Sequence, residues 1–325
     1  MYFQTRILFV SFAATVILAI FIIPILRKFK IGQIERDDGP ESHLGKKGTP
    51  TMGGIIIAAG IIIGTIGGYI YYSKTDPEVG KRLFPLLLIS IGFGLIGFID
   101  DYKKLVLKNT KGLKPSEKML GLLIIAVLFT LYLLKGVNLG TTTIIPFSKK
   151  EIVLPVLAYI PFAIFVMLGT TNAVNLTDGI DGLSSSVCTI IITCLTIIAT
   201  TLGVKEIVIF GAIVIGAVLG FLMFNIHPAK VFMGDTGSLF LGGVISGIAL
   251  YLKMPLILIL IALIPVIETL SVIIQVTYFK KTGKRVFKMA PIHHHLELSG
   301  WKENKIVSVF SLITLIFCVI GLMSI

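Results

Sequence analysis

Five aspartates are the residues of this chain best placed to do chemistry. The chain has only 17 acidic residues, and these five lie at or beside the ends of long apolar segments. They are Asp100, Asp101, Asp178, Asp181 and Asp235. Ionisable residues at such positions usually face a protein interior or a water-filled cavity. Since all five fall on one predicted side of the apolar segments, they indicate a single polar site built from several segment ends.

The sequence around three of these aspartates favours binding of Mg²⁺ and phosphate. In GFIDDYKK, Asp100 and Asp101 would project about 100° apart on a helix, so different roles are expected for them. Asp235, in VFMGDTGSL, is flanked by glycines that let backbone approach a ligand closely. Magnesium usually binds one or two carboxylates together with phosphate oxygens, and lysines balance the remaining phosphate charge. Six lysines follow the aspartate pair, namely Lys103, Lys104, Lys108, Lys111, Lys114 and Lys118.

A second acidic stretch, NAVNLTDGIDGL, spaces its polar residues three apart. Its members are Asn172, Asn175, Asp178 and Asp181. Such a stripe drifts by about 60° per step on an α-helix, whereas a tighter 3₁₀ turn aligns it. Gly179 and Gly182 predict a break in the helix here, and irregular backbone at membrane depth is tolerated where it lines a cavity.

The composition predicts an integral membrane protein. The 325 residues are 55% hydrophobic and 14% charged, whereas a soluble domain carries about 25% charged residues. Apolar runs of about 18 or more residues recur along the chain, as bilayer-spanning helices require. Ten spans are predicted, at roughly 7–26, 52–72, 83–100, 118–135, 152–172, 184–202, 207–224, 236–252, 254–279 and 304–325. The predicted fold class is all-α, with a ninth helix that is bent or broken because it is long and contains Pro255 and Pro265.

The distribution of basic residues predicts the orientation in the membrane. Most of the 29 Lys and Arg residues fall in alternate connections, which marks those connections as cytoplasmic and, with ten spans, places both termini outside. We predict one polytopic membrane domain, 1–325, with cytoplasmic active-site loops at about 27–51, 101–118, 173–183, 225–236 and 280–303. The net charge of +12 is explained by this topology and by attraction to anionic membrane lipid. No loop is long enough for a basic module that binds nucleic acid.

Two classes of function fit this pattern, an enzyme and a cation-coupled transporter. Transporters also carry intramembrane acids at broken helices, but those acids cluster near the bilayer midplane. The aspartates of this chain are predicted at the cytoplasmic rim. That placement favours an enzyme that draws one substrate from the cytosol and another from the membrane.

Five motifs together make the chain resemble a known enzyme family. They are GTPTMGG at 48–54, GFIDDYKK at 97–104, NAVNLTDGIDGL at 172–183, VFMGDTGSL at 231–239 and MAPIHHHLELSGW at 289–301. As a set and in this order they resemble the phospho-N-acetylmuramoyl-pentapeptide transferases, a bacterial family among the polyprenyl-phosphate N-acetylhexosamine-1-phosphate transferases. The ten-helix architecture of that family agrees with the ten predicted spans.

The resemblance implies a reaction and its partners. Phospho-MurNAc-pentapeptide would pass from UDP-MurNAc-pentapeptide to undecaprenyl phosphate, giving lipid I and UMP in the first membrane step of peptidoglycan synthesis. Mg²⁺ is the implied cofactor, and the implied location is the bacterial cytoplasmic membrane with the site facing the cytoplasm. The alternative within the superfamily is a transferase of GlcNAc-1-phosphate that uses UDP-GlcNAc. The oligomeric state stays open, with a homodimer as one option.

Matching to the family motifs also implies roles for individual residues. Asp235 is the expected metal ligand, and Asp100, Asp101 and Asp178 are the other expected catalytic residues. The expected substrate-binding residues are Lys46, Thr51, Lys111, Lys118, Asn172, Asn175, Gly179, Ile180, Asp181, Asn225, Phe232, His293, His294 and His295. Among them, Phe232 offers an aromatic face to the uracil base, and the lysines Lys111 and Lys118 suit phosphate contacts.

The favoured mechanism is a one-step, in-line attack of the lipid phosphate on the β-phosphate of the nucleotide. A phosphate monoester has a second pKa of about 6, so the nucleophile is mostly dianionic at neutral pH and a strong general base is barely required. Asp100 would position or deprotonate the lipid phosphate, and Asp101 would support it or the metal. The alternative is a two-step route in which an aspartate forms a phosphoryl-enzyme. Glu268, inside the ninth predicted span, receives no role.

The three consecutive histidines His293, His294 and His295 could be a tag remnant, a metal site or a substrate-binding cluster. The run is internal and another long apolar segment follows it, which argues against a tag. Adjacent side chains point in different directions and no cysteine is near in sequence, so a tetrahedral zinc site is not expected. Beside the family motifs the cluster is interpreted as donors to the substrate's phosphate or sugar, with His294 and His295 favoured for contact.

Overall fold

The computed structural model describes residues 2–28, 46, 48–107 and 112–325, and this part of the chain is mostly helical. Its α-helices are α1 Phe3–Lys28, α2 Gly54–Thr75, α3 Pro77–Leu105, α4 Pro115–Leu131, α5 Val156–Thr177, α6 Leu183–Thr201, α7 Lys205–Asn225, α8 Gly234–Tyr251, α9 Leu258–Ile261, α10 Leu263–Thr282, α11 Ile292–Glu297 and α12 Glu303–Met323. A π-helical turn, Tyr132–Gly136, extends α4, and a 3₁₀ turn, Pro255–Ile257, precedes α9.

Nine helices in the described residues are long and apolar enough to cross a membrane. They are α1 to α7, with α4 counted together with its π-helical turn, and α10 and α12. Each of them overlaps one predicted span, so the prediction of an all-α, multi-span membrane protein is confirmed at this level. The remaining predicted span, 236–252, coincides with α8, whose residues from Thr236 to Tyr251 are all buried. Because α8 lies inside the bundle, it needs no lipid-facing stripe.

Helix α8 is central because α2, α3, α5 and α6 all pack against it. Small residues allow two of these helices to approach it closely. A Cβ built on Gly97 of α3 would lie 2.1 Å from the backbone oxygen of Asp235, and one built on Gly54 of α2 would lie 2.1 Å from the backbone nitrogen of Gly237. Small residues at helix interfaces promote the van der Waals packing that drives helix association in lipid. Here that packing brings the end of α3 to the beginning of α8.

Some predicted boundaries differ from the structure. Helix α3 continues to Leu105 and α5 continues to Thr177, so the predicted loops 101–118 and 173–183 are partly helical. These polar segments stay helical because they pack against other helices instead of extending into water. The predicted ninth span is divided into the 3₁₀ turn, α9 and α10, with non-helical backbone at Ala262 (φ −104°, ψ 31°).

A two-stranded hairpin was not predicted. Its strands, β1 Thr142–Ile144 and β2 Glu151–Val153, pair antiparallel with Thr142 opposite Val153. Three-residue strands are too short for an alternating apolar pattern to stand out in the sequence. The backbone N–H of Ile144 also donates to the carbonyl of Lys253, which joins the hairpin to the end of the bundle opposite the aspartates.

Candidate active site

Two aspartates and two lysines form a compact charged cluster at one end of the bundle. Lys104 Nζ lies 2.8 Å from Asp100 Oδ2 and 3.1 Å from Asp235 Oδ2. Lys118 Nζ lies 2.9 Å from the same Asp235 oxygen and 3.4 Å from Asp100 Oδ2. The residues come from the end of α3, the first turn of α4 and the first turn of α8. Asp100 Oδ1 also accepts the backbone N–H of Leu113 at 2.7 Å, so both oxygens of this buried carboxylate are held.

Asp101 has a different environment from its neighbour Asp100, as the expected 100° separation on a helix predicts. Its Oδ2 accepts the backbone N–H of Thr236 at 2.9 Å and the Thr236 hydroxyl at 2.6 Å. Its Oδ1 accepts the backbone N–H of Asp235 at 3.3 Å. These are free N–H groups of the first turn of α8, so Asp101 caps that helix from α3. Its position in the structure therefore supports Asp235.

Helix α5 contributes an amide to the cluster. Asn175 Nδ2 donates to Asp235 Oδ1 at 2.8 Å and to the hydroxyl oxygen of Ser238 at 2.8 Å. Asn172, one turn earlier, donates instead to the carbonyl of Leu168 in its own helix at 2.7 Å. The structure thus brings Asn175 to the charged cluster and leaves the Asn172 amide on its own helix, because α5 remains α-helical and the stripe turns away.

Asp178 ends α5 and lies half-buried beside the other carboxylates. Removal from water first, and the negative charges of Asp235 and Asp101 next, raise its pKa to about 8, although a hydrogen bond from the backbone of Gly234 opposes the shift. A carboxyl group in this state indicates negative charge that the two neighbouring lysines do not balance. Strongly perturbed acids of this kind are concentrated at functional sites.

A second ionic cluster surrounds Asp181 and lies beside the first. Lys46 Nζ lies 2.8 Å from Asp181 Oδ1 and 2.7 Å from Glu303 Oε2. The other Asp181 oxygen is 3.1 Å from His227 Nδ1 and accepts the backbone N–H of Ala229 at 3.0 Å. Lys46 Nζ also lies 5.9 Å from the centre of the Phe232 ring, within the range of a cation–π contact. Three predicted site residues are therefore adjacent, and Glu303 and His227 join them.

The two segments around Thr51 and Phe232 are held together by backbone hydrogen bonds. The N–H of Phe232 donates to the carbonyl of Pro50 at 2.8 Å, and the N–H of Gly53 donates to the carbonyl of Phe232 at 2.8 Å. Asn225 braces the same region, because its side chain accepts from the Ser185 hydroxyl at 2.7 Å and donates to the carbonyl of Val231 at 3.0 Å. Its amide is engaged within the protein, so Asn225 shapes this pocket.

The histidines occupy three distinct environments. His293 is fully buried and its Nδ1 lies 3.0 Å from Glu268 Oε1. His294 Nδ1 lies 2.8 Å from Glu297 Oε2. His295 Nδ1 accepts the backbone N–H of Lys288 at 3.1 Å. The structure therefore places His293, rather than the two favoured from the sequence, against the loop that follows α5.

Two further predicted residues lie in that loop, and a third belongs to a part of the chain that the structure does not describe. Gly179 packs against the imidazole of His293, and Ile180 points into the core with 5% of its surface exposed. Lys111 lies outside the described residues.

Sequence reasoning missed or left unassigned several residues that the structure brings to the site. They are Lys104, His227, Ser238, Glu268 and Glu303. Lys104 has a detectable signal, because it lies four residues after Asp100 and such pairs meet on one helix face. The others have none, since their partners are distant in sequence.

The donor atoms around Asp235 suit a hard cation such as Mg²⁺. Carboxylate oxygens of Asp235, Asp100 and Asp178 and the amide oxygen of Asn175 are oxygen donors, which is the chemistry that Mg²⁺ prefers. Burial and, after it, the negative charges of Asp235 and Asp101 raise the pKa of Asp178, and a bound cation would offset those charges. Asp181, His227 and Glu303 could also hold a metal ion by their spacing, but Lys46 Nζ lies within 2.8 Å of the same two carboxylates. We therefore treat that second group as an ion-pair cluster.

Comparison with known proteins shows extensive similarity over most of the chain. Residues 83–253 match the family model described as Glycosyl transferase family 4. A protein of Clostridium perfringens strain 13 is 51% identical over 97% of this chain and 96% of its own length. Proteins of Acetivibrio thermocellus and of Clostridium botulinum strain Alaska E43 are 49% and 50% identical, over 96% and 97% of this chain and 92% and 94% of their own lengths. All three relatives are named phospho-N-acetylmuramoyl-pentapeptide-transferase.

Proposed function

The chain belongs to the phospho-N-acetylmuramoyl-pentapeptide transferases, an enzyme family of phosphoglycosyl transferases, and from that premise we propose its substrates and mechanism. It transfers phospho-MurNAc-pentapeptide from UDP-MurNAc-pentapeptide to undecaprenyl phosphate, producing lipid I and UMP. The observation that carries this proposal is the Asp100–Lys104–Lys118–Asp235 cluster, to which Asn175 and Asp178 are adjacent. Three separate helices supply it, as a site that binds two phosphorylated substrates requires.

The cluster suits phosphoryl transfer because catalysis of that reaction is mainly positioning and charge stabilisation. Lys104 and Lys118 are 37% and 19% exposed at their side chains, whereas the Asp100 side chain is 3% exposed. The lysines can therefore turn from the carboxylates toward phosphate oxygens. Asp100 Oδ1 is held by the N–H of Leu113, and Asp100 Oδ2, which pairs with the two lysines, would position the incoming lipid phosphate as those lysines turn toward it.

Asp235, with Asp178 beside it, would hold Mg²⁺. When bound, the ion would supply positive charge between the two phosphorylated substrates and polarise the β-phosphate. Asn175 orients the Asp235 carboxylate through Oδ1, and Asp101 orients its backbone. We favour a one-step, in-line route, because the lipid phosphate is itself a mostly dianionic nucleophile and no aspartate is needed to attack in its place.

The second ionic cluster supports a role in nucleotide binding. Phe232 presents a ring beside Lys46, and the Asp181 carboxylate lies next to the same lysine. The uracil base would contact the ring of Phe232, with Lys46 and Thr51 completing the pocket. Gly179 and Ile180 would offer backbone rather than side-chain contacts, since Ile180 is buried. His294 and His295 would contact the sugar or phosphate from α11.

The proposed topology has ten spans, with α8 as the eighth, the divided 3₁₀–α9–α10 segment as a bent ninth and α12 as the tenth. Both termini lie outside and the aspartates face the cytoplasm. The support is the concentration of Lys and Arg in the connections on the aspartate side of the chain. In a bacterium this corresponds to the cytoplasmic membrane, where both a cytosolic nucleotide and a lipid phosphate are within reach.

A reconstituted assay tests the proposed function. Purified protein is incubated with undecaprenyl phosphate, Mg²⁺ and either UDP-MurNAc-pentapeptide or UDP-GlcNAc, and UMP release is measured. UMP is expected with the first nucleotide and not with the second. Release with UDP-GlcNAc alone would establish the alternative hexosamine specificity, and no turnover with either would favour the transporter.

The one-step route has its own test. The enzyme is incubated with nucleotide substrate labelled in the β-phosphate, without lipid acceptor, and quenched in acid. No labelled protein is expected. A phosphoryl-aspartate recovered from the quenched protein would establish the two-step route instead.

A further inference from the structure

Glu268 is a charged residue inside a membrane-spanning helix with no assigned role. It lies in α10 and is 0% exposed. Its Oε1 lies 3.0 Å from Nδ1 of His293, which is likewise 0% exposed and belongs to α11. An ionisable residue within a span is expensive to bury, and such residues usually mark functional sites. The pair therefore requires an explanation beyond packing.

The pair is not satisfied by its own hydrogen bond. Within the described part of the chain, Glu268 Oε2 and His293 Nε2 find no hydrogen-bond partner. A buried polar atom without a partner costs about 1–3 kcal/mol. Replacing a buried polar pair by well-packed apolar residues is often neutral or stabilising. A pair retained only for stability would have both of its outer atoms engaged.

His293 lies between Glu268 and the loop that follows α5, and it contacts both. A Cβ built on Gly179 would lie 2.1 Å from His293 Nε2, so the imidazole packs directly against the glycine backbone. Gly179 follows Asp178 and precedes Asp181 by two residues. The imidazole therefore forms one wall behind the segment 178–182, on which both aspartates lie.

The contact with Glu268 also fixes the orientation of the His293 ring. Since Nδ1 lies 3.0 Å from the Glu268 carboxyl, the opposite edge of the ring, which carries Nε2, faces Gly179. Glu268 thus holds the imidazole in place behind the loop.

We propose that Glu268 is a positioning residue of this enzyme: it orients the imidazole of His293, and His293 sets the Gly179 end of the loop 178–182. The inference rests on the proposed function, because its effect is measured as turnover of the proposed substrates. It adds to the site a membrane-embedded acid that touches no substrate.

Kinetics of single and double variants test the proposal. Full-length protein in lipid nanodiscs carries Glu268→Ala, Glu268→Gln, His293→Ala or the double change Glu268→Ala/His293→Ala. Glu268→Ala and His293→Ala are each expected to lower kcat by about 10- to 100-fold, as loss of an outer partner of a functional histidine does. The KM for the nucleotide should rise while the KM for undecaprenyl phosphate stays unchanged. The double variant should be no worse than His293→Ala, because the two residues act as a unit.

Two further variants separate positioning from folding. Glu268→Gln should recover part of kcat, because its amide can still pair with Nδ1. Gly179→Ala should give the same kinetic signature by displacing the imidazole, and His293→Ala should relieve that clash so that the pair of changes is not additive. The matched control is Glu206→Gln, a buried glutamate at the far end of the bundle, which should leave both KM values and kcat of folded enzyme unchanged.

The outcomes are distinguishable. If the wild-type chain turns over the proposed substrates and Glu268→Ala has an unchanged kcat and nucleotide KM, this inference is overturned and the proposed function is not. Additive effects of Glu268→Ala and His293→Ala on kcat would also overturn it, and so would an equal rise in the KM for the nucleotide and the KM for undecaprenyl phosphate. No turnover by the wild-type chain overturns the proposed function and this inference with it.

Discussion

Both ends of the helix bundle hold buried carboxylates, but the number of basic partners available to those carboxylates differs between the two ends. At the end formed by the first two turns of α3, the first turn of α7 and the last turn of α8, Glu206 Oε1 accepts hydrogen bonds from Arg82 Nη1 at 3.0 Å and from the hydroxyl of Tyr251 at 2.6 Å. One acid there meets one base and one neutral donor. At the opposite end of the same three helices, the two aspartates of the charged cluster share two lysines, and Asp101 and Asp178 add two further acids beside them.

The difference separates an ion pair that stabilises the fold from a site prepared for a ligand. Lys104 and Lys118 are shared between Asp100 and Asp235, while Asp101 and Asp178 add further acid beside them. Burial first, and the negative charges of Asp235 and Asp101 next, raise the pKa of Asp178 to about 8. A protein built only for stability would not concentrate like charges in this way. Four substitutions sharpen the contrast.

The largest expected effect is that of Asp235→Asn. The change removes the charge that Lys104, Lys118 and the proposed Mg²⁺ share, so turnover should fall on the order of 10³-fold, the scale seen when a principal electrostatic group is lost. UMP release at saturating Mg²⁺ is the measurement. Membrane insertion and thermal unfolding should stay close to those of the wild type. Near-normal turnover would remove Asp235 as the metal ligand.

Lys118→Met should have the next largest effect. It removes a cation 2.9 Å from Asp235 while keeping an apolar stem of similar length, and turnover should fall on the order of 10²-fold. Lys103→Met is the matched control, because Lys103 pairs at 3.7 Å with the exposed Glu117 and such pairs contribute little. Equal losses in the two variants would show that the effect is one of overall charge.

Asp101→Ala should affect stability and activity together. It leaves the first N–H groups of α8 without their cap, which lowers the free energy of unfolding by about 1–3 kcal/mol. Turnover should fall about 10- to 100-fold, since Asp235 loses its backbone support. Thermal unfolding and UMP release are measured beside Asp100→Ala. If Asp100→Ala destabilises the protein more than Asp101→Ala, the assignment of the cap is wrong.

Glu206→Gln should have the smallest effect on catalysis. The amide oxygen of glutamine can still accept from Tyr251, but the charge opposite Arg82 is lost, so unfolding is easier by about 1 kcal/mol. The kcat of folded enzyme and both KM values should not change. A kinetic effect at this end would mean that the two ends of the bundle are coupled.

Much of this protein can be predicted from its sequence because the signals are local. Lengths of apolar runs identify every long helix, including the buried α8, since an apolar run of bilayer length is itself the physical requirement. The steps of three in NAVNLTDGIDGL and the adjacent Asp100 and Asp101 identify the acids of the site. The separation of those two aspartates into a cluster member and a helix cap follows from the 100° turn of an α-helix.

The tertiary structure alone decides which distant groups meet. Lys46 bonds Glu303 across 257 residues, and Asp101 caps α8 across more than 130. Which helix ends approach each other depends on close packing at residues such as Gly97 and Gly54, which have no signature that names a partner. The sequence alone therefore determines a membrane bundle with acids at its helix ends. Only the packed bundle decides that Asp100 and Asp235 share lysines, that Glu303 joins Asp181, and that Glu268 meets His293, because each contact depends on helices that are far apart in the chain.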